Sequence, residues 1–264
     1  MSKAYIVGSY KGGVGKTTFC SALAYVAALN SNSVLAVDMD FGSGGLDIAL
    51  GVENTAAGNI LHLLNKELEL EGVAVDGGIP GLRVICSPMS YFEGLENISE
   101  EAMEAVIHRL KLDNDLVLFD MPAGGGDFFE KLCLCEGIDG IIIVSTDSPT
   151  SVRSAEKCGQ RLYELSGKDV KLVINGYNLT KPRSNTFGLV NILENVSLPA
   201  LAVIPFDGLC SRALSLGKPL TAFEKSVAGI AVENAFLRMA GNNVPLFDGI
   251  LKKKKRKKFL YKDN

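Results

Sequence analysis

Residues 8–18 place glycines, lysines and threonines at a spacing that suits the binding of phosphate groups. Glycines allow several backbone N–H groups to approach one anion, and the N-terminus of a following helix points its dipole at the same place. Lys16 supplies a positive charge for the outer phosphates and Thr17 a hydroxyl for Mg²⁺. The segment therefore predicts a loop that binds a nucleotide and Mg²⁺. Its candidate binding residues are Gly12, Gly13, Val14, Gly15, Lys16, Thr17 and Thr18.

The segment departs from the strict phosphate-loop pattern at one position. In G-x-x-x-x-G-K-[ST] the first residue is glycine, whereas this chain has Tyr10. The sequence fits the variant K-G-G-x-G-K-T, which begins at Lys11. An apolar run precedes it and a helical pattern follows it, which is the context that a phosphate loop requires. An ordinary turn that binds no ligand is a poor explanation for glycines in this context. For Lys11, the alternative to a role in nucleotide binding is a lysine in a loop that only contacts solvent.

Carboxylates stand at the ends of two further apolar runs. Asp38 and Asp40 close the run 33–39, and Asp120 closes the run 115–120. Two carboxylates separated by one residue at a strand end point to the same side, where they can serve a metal shell and an attacking water. An aspartate at the end of an apolar strand delivers its carboxylate to Mg²⁺ directly or through a water. A solvated strand-end pair is the alternative for Asp38 and Asp40.

Apolar runs and helical patterns alternate along the chain and must position these residues. Most runs are continuous, which is typical of strands buried on both faces. The predicted fold class is α/β, a doubly wound, mostly parallel sheet with helices on both faces, in one domain over 1–244 with a tail over 245–264. Ligands bind beyond the carboxyl ends of strands in such sheets. The predicted strands are 4–9, 33–39, 82–87, 115–120, 139–146, 170–175 and 201–205, and the predicted helices are 15–30, 56–65, 99–111, 149–166, 184–194 and 226–240.

The composition is that of an ordinary globular protein, with 47% apolar and 22% charged residues in a chain of 264. No stretch approaches the ~18 consecutive apolar residues that a membrane-spanning helix needs. The six cysteines are scattered, and Cys133 and Cys135 lack the second pair of a metal site, so we expect buried thiols. His62 and His108 have no acid or nucleophile at motif spacing and are interpreted as packing or surface residues.

The loop and the acidic motifs together resemble the MinD/ParA family of P-loop ATPases with a deviant Walker A loop. The resemblance runs in order over about residues 3–240 and is strongest to the MinD branch, because Phe41-Gly42 follows the second aspartate where partition proteins have Pro-Gln. It implies that ATP and Mg²⁺ are the cofactors and that Lys11 reaches the partner's nucleotide in an ATP-dependent homodimer. It also implies two sets of residues, the catalytic Lys11, Lys16 and Asp40 and the metal-binding Thr17, Asp38 and Asp120.

Weaker family matches follow later in the chain. Asn175 matches an asparagine that reads the adenine, with an ordinary turn as its alternative, and Pro205 and Asp207 fall in a segment that resembles the base-binding loop. The chain departs from the family at 124–126, where it has three glycines, and at Ser154, where relatives commonly have aspartate. Three glycines suit a loop that changes conformation with the nucleotide.

The C-terminal segment separates the charge of the chain into two parts. Residues 252–264 carry a net charge of +7 and residues 1–251 one of −10. Basic residues attract an anionic membrane at about 1 kcal/mol each, and apolar neighbours add a second contribution. Nucleic-acid phosphates suit the same run, and a merely solubilising tail is the third interpretation. The favoured interpretation is a membrane-binding tail of Leu246, Phe247, Ile250, Leu251, Lys252, Lys253, Lys254, Lys255, Arg256, Lys257, Lys258, Phe259 and Leu260.

These features lead to one expected function and several alternatives. We expect a cytoplasmic ATPase that regulates septum placement, hydrolyses ATP slowly until an activating or effector protein completes its site, and binds the cytoplasmic face of the membrane as a dimer. Two tails on one dimer raise avidity without new contacts, which couples ATP to attachment. A partition ATPase that binds nucleic acid through its basic tail and a flagellar-number regulator are the alternatives. A non-enzymatic scaffold stays open if the changes at 124–126 or Ser154 disable hydrolysis.

Overall fold

The computed structural model describes residues 2–30, 32–53, 55–56, 58–88, 98–178, 188–224, 226–244 and 246. Strands and α-helices alternate along this part of the chain. The strands are β1 Lys3–Ser9, β2 Val34–Asp38, β3 Ala74–Asp76, β4 Leu82–Ile85, β5 Leu116–Ala123, β6 Gly140–Thr146, β7 Val170–Tyr177 and β8 Ala200–Pro205. The helices are α1 Lys16–Leu29, α2 Leu46–Leu50, α3 Ile60–Leu64, α4 Leu70–Val73, α5 Glu100–Leu112, α6 Asp127–Leu134, α7 Pro149–Ser166, α8 Leu189–Asn195, α9 Leu209–Ser215 and α10 Val227–Met239, with a 3₁₀ turn at Leu220–Ala222.

The strands form one sheet in the order β3-β4-β2-β5-β1-β6-β7-β8. Neighbouring strands are parallel except at one edge, where β3 pairs antiparallel with β4. In this register Asp120 of β5 lies between Val7 of β1 and Asp38 of β2. The phosphate loop that follows β1 and the two aspartates therefore meet at the carboxyl edge of the sheet, as expected for ligand sites of doubly wound folds.

Helices cover both faces of the sheet and divide the core into two layers. One layer packs α3 to α8 against the sheet, and the other packs α1, α2, α9 and α10 against the opposite face. Leu118 and Phe119 of β5 are both buried but enter different layers, because successive strand side chains point to opposite faces. Each fully buried side chain of this size stabilises the fold by about 1.5–3 kcal/mol. The central strands, which end at the candidate site, are therefore fixed by packing on both faces of the sheet.

The predicted fold class is confirmed, and each of the predicted apolar runs is a strand. The short edge strand β3 and the helices α2, α4, α6 and α9 were not predicted. They have three to eight residues, too few for the 3.6-residue periodicity to stand out. The helix predicted at 56–65 is α3, which is shorter than predicted, and the helix predicted at 184–194 is α8. Residues 184–187 lie outside the described part of the chain, as does the tail apart from Leu246. Among the helices that are described, none combines the length and the apolar character needed to cross a membrane.

Candidate nucleotide-binding site

The phosphate loop joins β1 to α1 and leaves its backbone donors free. Gly13 and Gly15 have φ angles of 70° and 90°, which glycine adopts without strain. Helix α1 begins at Lys16, and no side chain caps its N-terminus. Within the described part of the chain, the N–H groups of residues 12–16 donate to no protein acceptor. A set of free N–H groups at a helix N-terminus binds phosphate oxygens.

Asp120 is a buried carboxylate near this loop, and one of its oxygen atoms can still accept a hydrogen bond or bind a cation. It is 1% exposed, and its Oδ1 atom has no hydrogen-bond partner among the described residues. Burial raises the pKa of Asp120 to about 7, while the nearby hydroxyl of Thr17 and the charge of Lys16 favour its ionised form. A carboxylate oxygen and a threonine hydroxyl are ligands that Mg²⁺ takes in nucleotide sites. The unpartnered Oδ1 beside Thr17 therefore fits a bound Mg²⁺.

Asp38 is also buried, but the protein backbone occupies both of its oxygens. Oδ1 accepts the N–H of Asp40 at 2.9 Å, and Oδ2 accepts those of Gly45 at 2.9 Å and Leu46 at 3.1 Å. Burial raises the pKa of Asp38, and these three hydrogen bonds oppose the rise. Asp38 thus anchors the loop 40–45 and the start of α2. Its place in the metal shell stays a prediction.

Asp40 is partly exposed and keeps one carboxylate oxygen available. Its Oδ1 accepts the N–H groups of Gly42 and Ser43 at 3.3 and 3.0 Å, and no described residue donates to Oδ2. Asp40 lines a cleft of about 240 Å³ between the loop after β2 and the glycines after β5. Three phenylalanines, Phe41, Phe128 and Phe129, also line the cleft. The ring centroids of Phe41 and Phe128 are 5.9 Å apart. An oxygen in such a cleft can orient a water molecule.

Lys11 is exposed at the rim of the site. Its Nζ atom donates to Oγ1 of Thr150 at 3.3 Å, in the first turn of α7. The ammonium group therefore lies over a neighbouring helix of its own chain. Its predicted role at a partner's nucleotide is not tested by a single chain. The contact with Thr150 was not predicted, although the polar start of α7 was the available signal.

The residues predicted to bind the base lie at the carboxyl ends of β7 and β8. Asn175 donates from Nδ2 to the carbonyl oxygen of Val14 at 2.8 Å, and so braces the phosphate loop. Asp207 accepts from the amides of Leu209 and Ala228 and from the hydroxyl of Ser226. Burial alone would raise the pKa of Asp207, but these hydrogen bonds lower it.

The side chain of Asp207 therefore fastens α9 to the start of α10. Pro205 closes β8, and a backbone hydrogen bond from Phe206 to Tyr177 continues its pairing with β7. The structure thus places Asn175, Pro205 and Asp207 on adjacent strand ends, and their contact with a base stays a prediction. Both supporting roles, the brace and the fastening, were missed by the sequence, which reveals residue types and not hydrogen-bond partners.

Comparisons with known proteins agree with this geometry. A family model described as an AAA domain matches residues 2–157. The septum site-determining protein MinD of Synechocystis sp. is 29% identical over 252 residues, which are 94% of this chain and 93% of the relative. The septum site-determining protein MinD of Bacillus subtilis is 27% identical over 248 residues, 93% of this chain and 92% of the relative.

Solved structures share the fold. The MinC:MinD cell division protein complex of Aquifex aeolicus superimposes with a TM-score of 0.83 at 24% identity and covers 93% of this chain and 98% of the other. MinD of Pyrococcus horikoshii complexed with Mg-ADP gives a TM-score of 0.79 at 22% identity over 92% of this chain and 100% of the other. At these identities the superpositions speak for the fold alone.

Proposed function

The chain belongs to the MinD/ParA family of P-loop ATPases, and from that premise we propose that it is an Mg²⁺-dependent ATPase that regulates placement of the division septum. One observation carries the enzymatic part of the proposal. Free N–H donors of residues 12–16 lie above a buried carboxylate, Asp120, whose Oδ1 has no partner in the described part of the chain. The two relatives named above are both called septum site-determining protein MinD, and each matches more than nine tenths of this chain. These names support the proposed role in septum placement.

Each residue of the site has a distinct task in hydrolysis. Residues 12–18 hold the phosphates of ATP, and Lys16 balances their outer charge. Thr17 and Asp120 would hold Mg²⁺, which would stabilise the negative charge on the phosphoryl group that is transferred. Asp40 orients the attacking water through its unoccupied oxygen. Asp38 keeps the loop 40–45 in place, so that Asp40 faces the cleft.

We propose further that hydrolysis is slow until the site is completed from outside the chain. The Nζ atom of Lys11 donates to Oγ1 of Thr150 in α7 of its own chain. In an ATP-bound homodimer Lys11 would instead reach the nucleotide of the second chain, where an extra cation stabilises developing negative charge. A partner protein of the division-site system would favour this arrangement; the complex of MinD with MinC in Aquifex aeolicus is a precedent for such a partner.

The polybasic tail, residues 245–264, is proposed to attach the ATP dimer to anionic membrane. The tail carries eight of the 27 basic residues of a chain whose remaining part is acidic. One tail supplies a modest affinity, and two tails on a dimer bind through effective concentration. Attachment would therefore follow the nucleotide: the dimer is bound and the monomer is free.

Vesicle sedimentation tests this proposal. Full-length protein is mixed with vesicles that contain anionic phospholipid, in ATP or in ADP, and the pelleted fraction is measured at fixed salt. We expect at least fivefold more pelleted protein in ATP, and no ATP effect in the Lys16→Gln variant. Equal sedimentation in the two nucleotides would contradict the switch. Binding of duplex DNA in a gel shift at the same salt, without vesicle binding, would support the partition alternative instead.

A further inference from the structure

Tyr10 and the glycine triplet at 124–126 are two of the departures of this chain from the expected pattern, and the Tyr10 ring approaches the triplet at Gly125. A Cβ atom at Gly125 would lie 2.7 Å from Cε1 and 2.8 Å from Cζ of the Tyr10 ring. Such distances are far below van der Waals contact, so the ring occupies the space that a side chain at 125 would need. A Cβ at Gly126, by contrast, would meet nothing within 4 Å. Gly125 therefore makes room specifically for Tyr10.

Tyr10 packs against the layer that α6 and α7 help to form. Its ring is partly buried on the core that includes Cys158 of α7, and burial raises the pKa of its hydroxyl. Glu130 of α6 accepts two hydrogen bonds from Arg161 of α7, at 2.6 and 2.8 Å. A bidentate arginine–carboxylate pair has a fixed geometry. The ring therefore lies between Gly125 and the layer that contains these two helices.

The backbone on either side of Tyr10 is tied to the same loop. The N–H of Gly124 donates to the carbonyl oxygen of Ser9 at 3.0 Å, and the hydroxyl of Ser9 donates to the carbonyl oxygen of Lys11 at 2.7 Å. Residues 9–11 and residue 124 therefore form one hydrogen-bonded unit with the Tyr10 ring across it. A displacement of the glycine triplet is transmitted to Lys11 through this unit.

We infer that Tyr10 is a positioning residue, whose ring holds the glycine triplet against the phosphate loop and fixes the direction in which Lys11 leaves that loop. The inference rests on the proposed function, because delivery of Lys11 to a second chain is what this contact controls. Tyr10 itself touches neither phosphate nor metal ligand. Its loss would therefore impair turnover and dimerisation more than nucleotide binding.

Two alanine variants separate this role from a general effect on the loop. Gly125→Ala pushes the ring out of place, and because the clash falls on the far end of a side chain, the fold is kept. Gly126→Ala is the matched control for the hydrogen-exchange measurement described below, since its Cβ is accommodated and its φ of 174° suits any residue. It is not a control for activity, because Gly126 lines the cleft that holds Asp40. We expect kcat for ATP to fall about tenfold in Gly125→Ala and in Tyr10→Ala, which converts to about 1.4 kcal/mol, with KM and ADP affinity within twofold.

The double variant Tyr10→Ala/Gly125→Ala should be no slower than either single variant, because both remove the same contact. Tyr10→Phe keeps the ring and should retain most of the turnover. A kcat of Gly125→Ala within twofold of the parent, or additive losses in the double variant, would overturn the inference.

Amide hydrogen exchange of Gly124 in nucleotide-free protein tests the same contact without ATPase activity. Exchange should be about tenfold faster in Tyr10→Ala and Gly125→Ala than in Gly126→Ala, corresponding to about 1.4 kcal/mol of local stability. Unchanged exchange would refute the inference even if the proposed function holds. A parent protein that neither hydrolyses ATP nor dimerises would instead refute the proposed function, and the exchange comparison would still decide on Tyr10.

Discussion

Two aspartates on neighbouring strands, Asp38 of β2 and Asp120 of β5, are paired in register and equally buried, yet they are bonded very differently. Asp38 accepts three backbone N–H groups from the segment that leads into α2. Asp120 lies near Thr17 and Lys16, and its Oδ1 has no hydrogen-bond partner in the described part. The same residue type in the same setting therefore serves local folding in one strand and is available to a ligand in the next.

This contrast follows from the chain that comes after each strand. The segment after Asp38 turns back at once, and the amides of Asp40, Gly45 and Leu46 donate to the carboxylate. Gly44 lets this turn pass close to Ser87, because a Cβ at Gly44 would lie 2.0 Å from Oγ of Ser87. After Asp120 the strand continues to Ala123, so no nearby amide turns toward the carboxylate. An ionised group buried without full compensation costs free energy. A cation bound at Asp120 would offset that cost.

Replacement of Asp120 should have the largest effect on activity. In Asp120→Asn we expect ATP hydrolysis to fall at least about 100-fold, or some 2.7 kcal/mol in the barrier, because the carboxylate that holds Mg²⁺ is lost. The free energy of unfolding in urea should not fall, since the change removes an uncompensated buried charge. Steady-state phosphate release and urea titration measure the two quantities. A variant that is active, or that unfolds more easily, would argue against the role given to Asp120.

Replacement of Asp38 should reverse this pattern. Asp38→Ala leaves three backbone donors without their acceptor, and we expect the free energy of unfolding to fall by about 3 kcal/mol. Urea titration of nucleotide-free protein gives this number directly. A loss below about 1 kcal/mol would mean that the loop 40–45 is held by other contacts. Asp38→Asn, which keeps one acceptor oxygen, should lie between alanine and the parent.

The stability of nucleotide-free protein should depend on pH through Asp120. Its pKa is raised from 3.8 to about 7 in the folded protein, so the folded state binds the proton more tightly than the unfolded state. The contribution of a protonated Asp120 is therefore complete below pH 3.8 and is lost as the pH rises toward 7. Between pH 5 and 7.5 we expect the parent to lose about 2 kcal/mol relative to Asp120→Asn. Parallel curves for the two proteins would contradict the raised pKa.

The brace from Asn175 should give the smallest effect. Asn175→Ala removes one hydrogen bond to the carbonyl oxygen of Val14, a contribution of about 1 kcal/mol. ADP affinity should fall about fivefold, because the phosphate loop loses part of its preorganisation. Calorimetric titration with ADP and with GDP tests this interpretation. A loss confined to ADP would favour adenine contact over the brace.

The sequence was informative where chemistry depends on residue type within a continuous segment. Glycines and Lys16 between a strand and a helix revealed the phosphate loop, and continuous apolar runs revealed the parallel strands. It was not informative where the outcome depends on partners distant in the chain. Asp38 and Asp120 looked alike, and the brace from Asn175 spans 161 positions. The sequence showed that Tyr10 departs from the strict phosphate-loop pattern, but its contact with Gly125 became visible only in the structure.

The central claim is that Asp120, and not Asp38, is the buried carboxylate kept for Mg²⁺ with the nucleotide. Calorimetric titration of ADP with and without Mg²⁺ tests it most directly in the parent, Asp38→Asn and Asp120→Asn. We predict that Mg²⁺ tightens ADP binding at least tenfold, about 1.4 kcal/mol, in the parent and in Asp38→Asn, and has no such effect in Asp120→Asn. Full Mg²⁺ dependence in Asp120→Asn, or its loss in Asp38→Asn alone, would contradict the claim.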